Sequence, residues 1–339
     1  MKRLPLPDLL KGFAVFLIVP VHILELFIDY PGRESSFGKI LLFLGGPVAV
    51  PVFMIIMGYF MAKNKKPLAT NLSRGLKVFA VGFLLNIGLN LHLLLKIKFA
   101  GWPYNPLEYL FGVDILYFAG IALIFLSFLK LIKKGKAWIA YFLFFAVIGL
   151  TSYMNNILML TERNYLVPFI AGDYSWSYFP LFPWLAYPLL GFALANSEAK
   201  VMGFLRGQKL VSGILLAVIA AMVLFFSKSG FTTTIYLPAY YHHTFWFSLW
   251  AMGLVILWVL AIRFLILKFP ETLVGNFLMW LGKNITVFYV VQWLIIGNIA
   301  TAIYQTQTIG TYIFWYTGIF AVTVFLTWLL EKTQVKLAS

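Results

Sequence analysis

The stretch Asp8 to Asp29, DLLKGFAVFLIVPVHILELFID, is long enough to span a bilayer, yet it carries Asp8, Lys11, His22 and Glu25. At 100° per residue of α-helix, positions 8, 11, 15, 18, 22, 25 and 29 share one face. That face reads Asp8, Lys11, Val15, Ile18, His22, Glu25, Asp29, polar at both ends and apolar between them. Lys11 and His22 would lie about 20° apart around the helix and about 16 Å apart along it. Ionisable groups inside a spanning helix are costly and face a protein interior or a water-filled cavity. The expectation is that this face lines a reaction site.

The rest of the chain supports a membrane reading. Of 339 residues, 62% are hydrophobic and 11% are charged, whereas about a quarter of a soluble domain is charged. A single integral membrane domain is expected over residues 1–339. The basic start (Lys2, Arg3) and apolar run imitate a signal peptide, but no small-residue cleavage site follows, so the run reads as a retained first helix. The absence of cysteine excludes disulfides, thiolate catalysis and Cys-ligated metals.

Apolar runs of spanning length fall near 9–28, 40–62, 75–95, 112–132, 137–153, 179–195, 210–226, 244–267, 279–300 and 312–330. They predict an all-α polytopic protein of about ten transmembrane helices around a polar cavity. Connectors after the even-numbered runs are basic. Of the 26 Lys and Arg, all but Arg33, Lys39, Lys96, Lys98, Arg163 and Lys228 then fall on one side. The positive-inside rule puts both termini in the cytoplasm. The net charge of +15 is thus topology rather than a nucleic-acid footprint, and no nucleic-acid partner is expected.

The opposite connectors are aromatic and rich in Pro and Gly, as in KIKFAGWPYNPLEYLFG and SKSGFTTTIYLPAYYHHT. An interfacial aromatic belt accounts for most of these rings; a lid or acceptor groove is the sharper reading. The 154–178 segment is long for a connector, which favours a functional loop. GGPVAVPVF, with Gly45, Gly46, Pro47 and Pro51, predicts an irregular outer end to the second helix, tolerable where it is buried or lines a cavity.

His22 leads the catalytic candidates. Thirteen residues from Leu9 would carry it about 20 Å into the bilayer. A neutral imidazole can take a proton from a hydroxyl or amine, or attack a thioester. Glu25, at i+3, could accept the other ring N–H and fix the tautomer. Packing against a neighbouring helix is the plainer account of a lone His. Lys11 would either snorkel to the headgroups or, with Arg74 and Lys77 on the third helix, form a basic mouth for phosphate. Asn86, Asn90, Asp114, Asn284 and Gln292 are expected to support the polar cavity, with interhelical hydrogen bonding as the default for the amides. His242–His243 is too small a set for a metal site, and none is expected. No Walker A loop, Gly-x-Gly-x-x-Gly or His-Glu-x-x-His occurs.

Lys11, ten residues, then His22, inside PDLLKGFAVFLIVPVH, resembles the signature of transmembrane acyltransferases of the acyltransferase-3 type. GGPVAVPVFMIIMGYFMA, SRGLKVFAVGFLLN, LFGVDILYFAGIAL, FPLFPWLAYPLLGFALA and LGKNITVFYVVQW resemble relatives of heparan-alpha-glucosaminide N-acetyltransferase, including bacterial homologues. The resemblance implies a bacterial inner-membrane enzyme that binds no cofactor. Acyl-CoA, chiefly acetyl-CoA, would be the cytoplasmic co-substrate, and a glycan or other extracytoplasmic acceptor would take the acyl group. Membrane lipid is the other expected partner, and oligomeric state is left open. The resemblance makes His22 the catalytic histidine. The arginine usual in that signature is Lys11 here, which keeps the charge and loses the bidentate fork. A proton-coupled transporter or flippase is the alternative, since a buried His, Glu and Lys would also suit a carrier.

Overall fold

The computed structural model describes residues 5–159, 164–268 and 272–333. The expected basic residues Lys2, Arg3 and Lys336, and Arg163 of the opposite side, lie outside them. Most of the described residues are helical, joined by turns, by a longer connector over 164–180 that holds one 3₁₀ turn, and by two isolated β-bridges. In chain order the helices are α1 (Pro5–Phe27), α2 (Tyr30–Glu34), α3 (Ser36–Gly45), α4 (Ala49–Lys63), α5 (Leu68–Leu89), α6 (Leu91–Ala100), α7 (Pro106–Leu110), α8 (Ile115–Leu129), α9 (Lys136–Leu158), α10 (Leu181–Trp184), α11 (Ala186–Gly207) and α12 (Lys209–Phe225). They continue with α13 (Ser227–Ile235), α14 (Leu237–Tyr241), α15 (Phe245–Lys268), α16 (Leu273–Lys283), α17 (Ile285–Ile303) and α18 (Tyr312–Lys332).

Among the described residues, seven helices are long and apolar enough to cross a membrane, and up to eight if a bent pair counts as one span. The bent pair is Leu181–Gly207 with Lys209–Phe225, turning by 104° at Gln208. All ten predicted runs are helical, but several differ from a plain span. The 112–132 run gives only the 15 residues of α8. The 279–300 run breaks at Asn284, which ends α16 and precedes α17. The irregular Gly46–Val48 turn lies inside a 28-residue span, Ser36–Lys63, rather than at its outer end. Ser35 causes that shift: its hydroxyl accepts from the Gly38 N–H and starts α3 early. Asp29 is not on α1 either. Its carboxylate accepts from the Gly32 N–H and caps α2, while its own N–H donates to the Gln307 carbonyl at 2.8 Å.

Large apolar side chains face outward along these helices. On α18, Ile313, Phe314, Phe325 and Trp328 are all exposed. Such continuous apolar surface marks a lipid-facing wall rather than a wet one.

The chain divides into two compact units. The first comprises residues 1–50, 81–112 and 261–339. There α1 packs on α3, α16, α17 and α18. Its approach to α16 is backbone to backbone, because a Cβ at Gly12 would collide with the Leu278 carbonyl and one at Gly282 with the Asp8 carbonyl. The second unit comprises residues 51–80 and 113–260. In it α9 packs along α11, with α8 against α11 as well. Helix α5 gives its first part to the second unit and its end to the first.

Candidate active site

Helix α1 continues past Pro20 without a break. Proline removes a backbone donor, so the Phe16 carbonyl loses its partner two residues before the position that matters. His22 follows, 8% exposed. Facing it on α17 are Tyr289, Gln292 and Trp293, at spacings of three and four that place them on one helical face. The Trp293 ring lies against the imidazole at 4.2 Å between centroids, and Tyr289 meets it edge-on at 6.4 Å.

Gln292 is fully buried. Its amide Nε2 donates to His22 Nδ1 at 3.1 Å. In that arrangement Nδ1 is the acceptor, so the neutral ring carries its proton on Nε2. The other end of the amide, Oε1, is buried with no hydrogen-bond partner among the described residues. Turning the amide by half a revolution would set Oε1 on an Nδ1–H and leave the Nε2 lone pair available. One side chain therefore controls which ring nitrogen carries the proton.

Glu25, expected as the orienting acceptor, makes no hydrogen bond to His22; Gln292 occupies Nδ1 instead. The Glu25 backbone carbonyl accepts from Gln305 Nε2 at 3.2 Å, and Gln305 Oε1 accepts from Arg33 at 3.0 Å. The Arg33 guanidinium also attracts the Glu25 carboxylate.

Lys11 is ion-paired with Asp8 at 2.9 Å, one turn away, and both are largely buried. Arg74 and Lys77 sit on the part of α5 in the second unit. Lys77 is exposed. Arg74 is half-buried, and its Nε is buried with no hydrogen-bond partner among the described residues.

The remaining amides, Asn86, Asn90 and Asn284, have backbone partners. Asn86 Nδ2 donates to the Leu110 and Gly112 carbonyls at 3.1 and 2.8 Å. Asn90 Nδ2 donates to the Asn86 and Tyr109 carbonyls. Together they clamp the segment that carries α7. Asn284 Nδ2 donates to the Trp280 carbonyl and closes α16. Asp114 precedes α8, in the second unit, with its charge acting on Tyr117.

The paired histidines are built in differently from one another. His243 is buried in the second unit; Nδ1–H donates to the Tyr240 carbonyl at 2.8 Å, which leaves Nε2 to accept from the Tyr187 hydroxyl at 2.9 Å. His242 faces Asp173 at 3.5 Å. No group of three or more His, Cys, Asp or Glu that could hold a metal occurs among the described residues.

Sequence reasoning reached His22 and Gln292 separately and did not join them. It missed Trp293 and Tyr289, although YVVQW displays the one-face spacing.

The helices define a polytopic α-helical membrane protein. A family model described as an acyltransferase domain, that of the acyltransferase-3 family, matches residues 5–332, and the chain belongs to that family. No curated protein and no solved structure matches it.

Proposed function

We propose that this membrane acyltransferase moves an acyl group, chiefly acetyl, from cytoplasmic acyl-CoA to a hydroxyl or amine of an extracytoplasmic glycan, with His22 as the reacting side chain. Family membership supplies the acyl-transfer chemistry. The observation that carries the assignment to His22 is its buried imidazole, held at Nδ1 by Gln292 and along its face by Trp293, with no hydrogen bond to Nε2 among the described residues.

As general base, Nε2 takes the proton of the acceptor O–H or N–H while that atom attacks the thioester carbonyl. The tetrahedral intermediate then collapses, the C–S bond breaks, and the imidazolium returns its proton to the coenzyme A thiolate. Alternatively Nε2 attacks the thioester itself, coenzyme A leaves, and the acceptor attacks the acyl-imidazole. Both routes need a lone pair on Nε2, hence a proton on Nδ1, so the Gln292 amide would turn from the orientation in which its Nε2 donates to Nδ1 to one in which its carbonyl accepts from Nδ1–H. The imidazolium formed when Nε2 takes a proton would donate its Nδ1–H to the same carbonyl.

Among the expected donor contacts, Arg74 has an unsatisfied buried N–H, a setting that suits an anionic oxygen. Lys11 would have to exchange Asp8 for a phosphate. The membrane is read as a bacterial inner membrane, with both termini cytoplasmic.

The test is acetyl-CoA turnover by protein reconstituted with a glycan acceptor, followed by release of free thiol. Thiol release that depends on acceptor and disappears in His22→Ala supports the reading. Solute movement across sealed vesicles without acyl-CoA would replace it with the carrier.

A further inference from the structure

The second unit contains a cavity of about 500 Å³ between the start of α9 and the last turns of α11. Three lysines line it: Lys133 before α9, Lys136 at its first residue, and Lys200 on α11. None makes an ion pair among the described residues; Glu198, the acidic residue closest to Lys200 in sequence, is taken by Lys63 and by the Tyr59 hydroxyl. The walls are aromatic. Trp138 and Phe204 are both exposed, and Tyr141 joins Ser197 through their hydroxyls at 2.9 Å.

Two considerations fix the ligand chemistry. Three uncompensated ammonium groups around one cavity favour a multiply hydrogen-bonding anion, and phosphate oxygens fit donors of this kind. The position fixes where such an anion would come from. The cavity opens at the beginning of one candidate span, Lys136–Leu158, and at the end of the helix packed along it. A spanning helix begins at the depth of the headgroups, where exposed Trp and Phe rest on the acyl-chain boundary and Lys reaches phosphate. Basic pockets between membrane helices bind anionic headgroups on this principle.

We propose that the Lys133–Lys136–Lys200 cavity is a phosphate site that holds the headgroup of an anionic phospholipid, with Trp138 and Phe204 against the upper part of its acyl chains. The site lies within the second unit, shares no residue with the acyl-transfer proposal, and stands whatever that reaction is.

The experiment is native mass spectrometry of the full chain released from detergent with phosphatidylglycerol or phosphatidylcholine. The proteins are wild type, the triple variant Lys133→Gln/Lys136→Gln/Lys200→Gln, and a control triple of equal charge change, Lys65→Gln/Lys66→Gln/Lys209→Gln. The expected result is retention of phosphatidylglycerol over phosphatidylcholine by wild type, at least a tenfold loss in the first triple, and less than a twofold change in the control. Calorimetry with inorganic phosphate and with acetyl-CoA forms the second arm. Loss confined to the lipid identifies the headgroup as the source. Loss of a soluble phosphate ligand alone retains the phosphate site and overturns the lipid assignment. Equal losses in both triples, or none in either arm, overturn the site. If the triple is not recovered folded, single Lys133→Gln and Lys200→Gln variants, both at exposed positions, should each lower retention two- to fivefold, and unchanged retention in both overturns it.

Discussion

Gln292 and His22 sit 270 residues apart in the chain and meet at 3.1 Å, Nε2 to Nδ1, with the glutamine fully enclosed. A buried amide has one donor end and one acceptor end. The end that faces the imidazole determines the tautomer, and so whether Nε2 gives or takes a proton.

Truncation at His22 should remove the proton-transfer or nucleophilic step. General acid–base groups typically contribute about 10²- to 10⁴-fold, and His22→Ala should lower kcat by that much while thermal stability stays near wild type. Acyl transfer in His22→Ala at wild-type rate, measured by thiol release, would sink the assignment.

Substitution of Gln292 tests positioning rather than chemistry. Gln292→Leu keeps the volume and leaves Nδ1 without a partner in a buried setting. A lost buried hydrogen bond costs about 1–3 kcal/mol, so kcat should fall roughly 10- to 100-fold with KM little changed. Gln292→Glu, which offers only acceptors when ionised, should recover part of that loss by holding the Nδ1–H tautomer. A fall in KM and kcat together, or no rescue by Glu, would show that Gln292 serves packing alone.

Asn86 offers a contrast within the same unit. Its amide donates to two carbonyls, of Leu110 and Gly112, and to no titratable group. Asn86→Leu would take one donor from each carbonyl. The expected result is a loss of stability of about 1–3 kcal/mol, seen as a lower melting temperature, with kcat of the surviving folded fraction close to wild type. A collapse of kcat at unchanged stability would instead put Asn86 in the reaction.

Gly12 and Gly282 hold the N-terminal half of α1 against α16 by allowing backbone contact on each side. Gly12→Val would drive its Cβ into the Leu278 carbonyl and add two methyl groups beside it. Overpacking of this kind costs about 1–3 kcal/mol where neighbours can shift, and here the neighbour is main chain. Detergent extraction yield and melting temperature should both fall. Unaltered stability would mean that α1 and α16 separate more easily than their contact implies.

The helices were legible because membrane spans are written in long apolar runs, and all ten runs are helical. Bends and breaks were not. Asn284 divides two helices, and the turn at Gln208 bends another pair by 104°, yet neither site carries a proline. Helix caps such as Ser35 moved boundaries through single hydrogen bonds. The periodicity of Asp8–Asp29 correctly singled out a helix and put Asp8 beside Lys11 at i,i+3, a pairing the reading did not draw, but it could not show that Asp29 would leave the helix to cap α2. The histidine's partner was illegible for a different reason: Gln292 reaches His22 from a helix 270 positions away, and one-dimensional spacing holds no record of such pairs.

His243 provides the last test, through pH. Burial pushes its imidazole down from the ordinary 6.5 to about 3, with smaller influences from the Tyr240 carbonyl and His242. The folded protein therefore keeps His243 neutral where the unfolded chain already binds a proton. The contribution of His243 is complete above about pH 6.5 and is lost as pH falls toward 3, at up to ~1.4 kcal/mol per pH unit. His242, also pushed down by burial and opposed by Asp173, acts with the same sign. Solubilised wild-type protein should thus melt at progressively lower temperature from pH 7 to pH 4.5. His243→Gln can still donate to the Tyr240 carbonyl and accept from the Tyr187 hydroxyl, but it has no proton to bind in this window. Its melting temperature should be lower at pH 7 and should decline less steeply. Parallel curves for the two proteins would assign the acid sensitivity to another group.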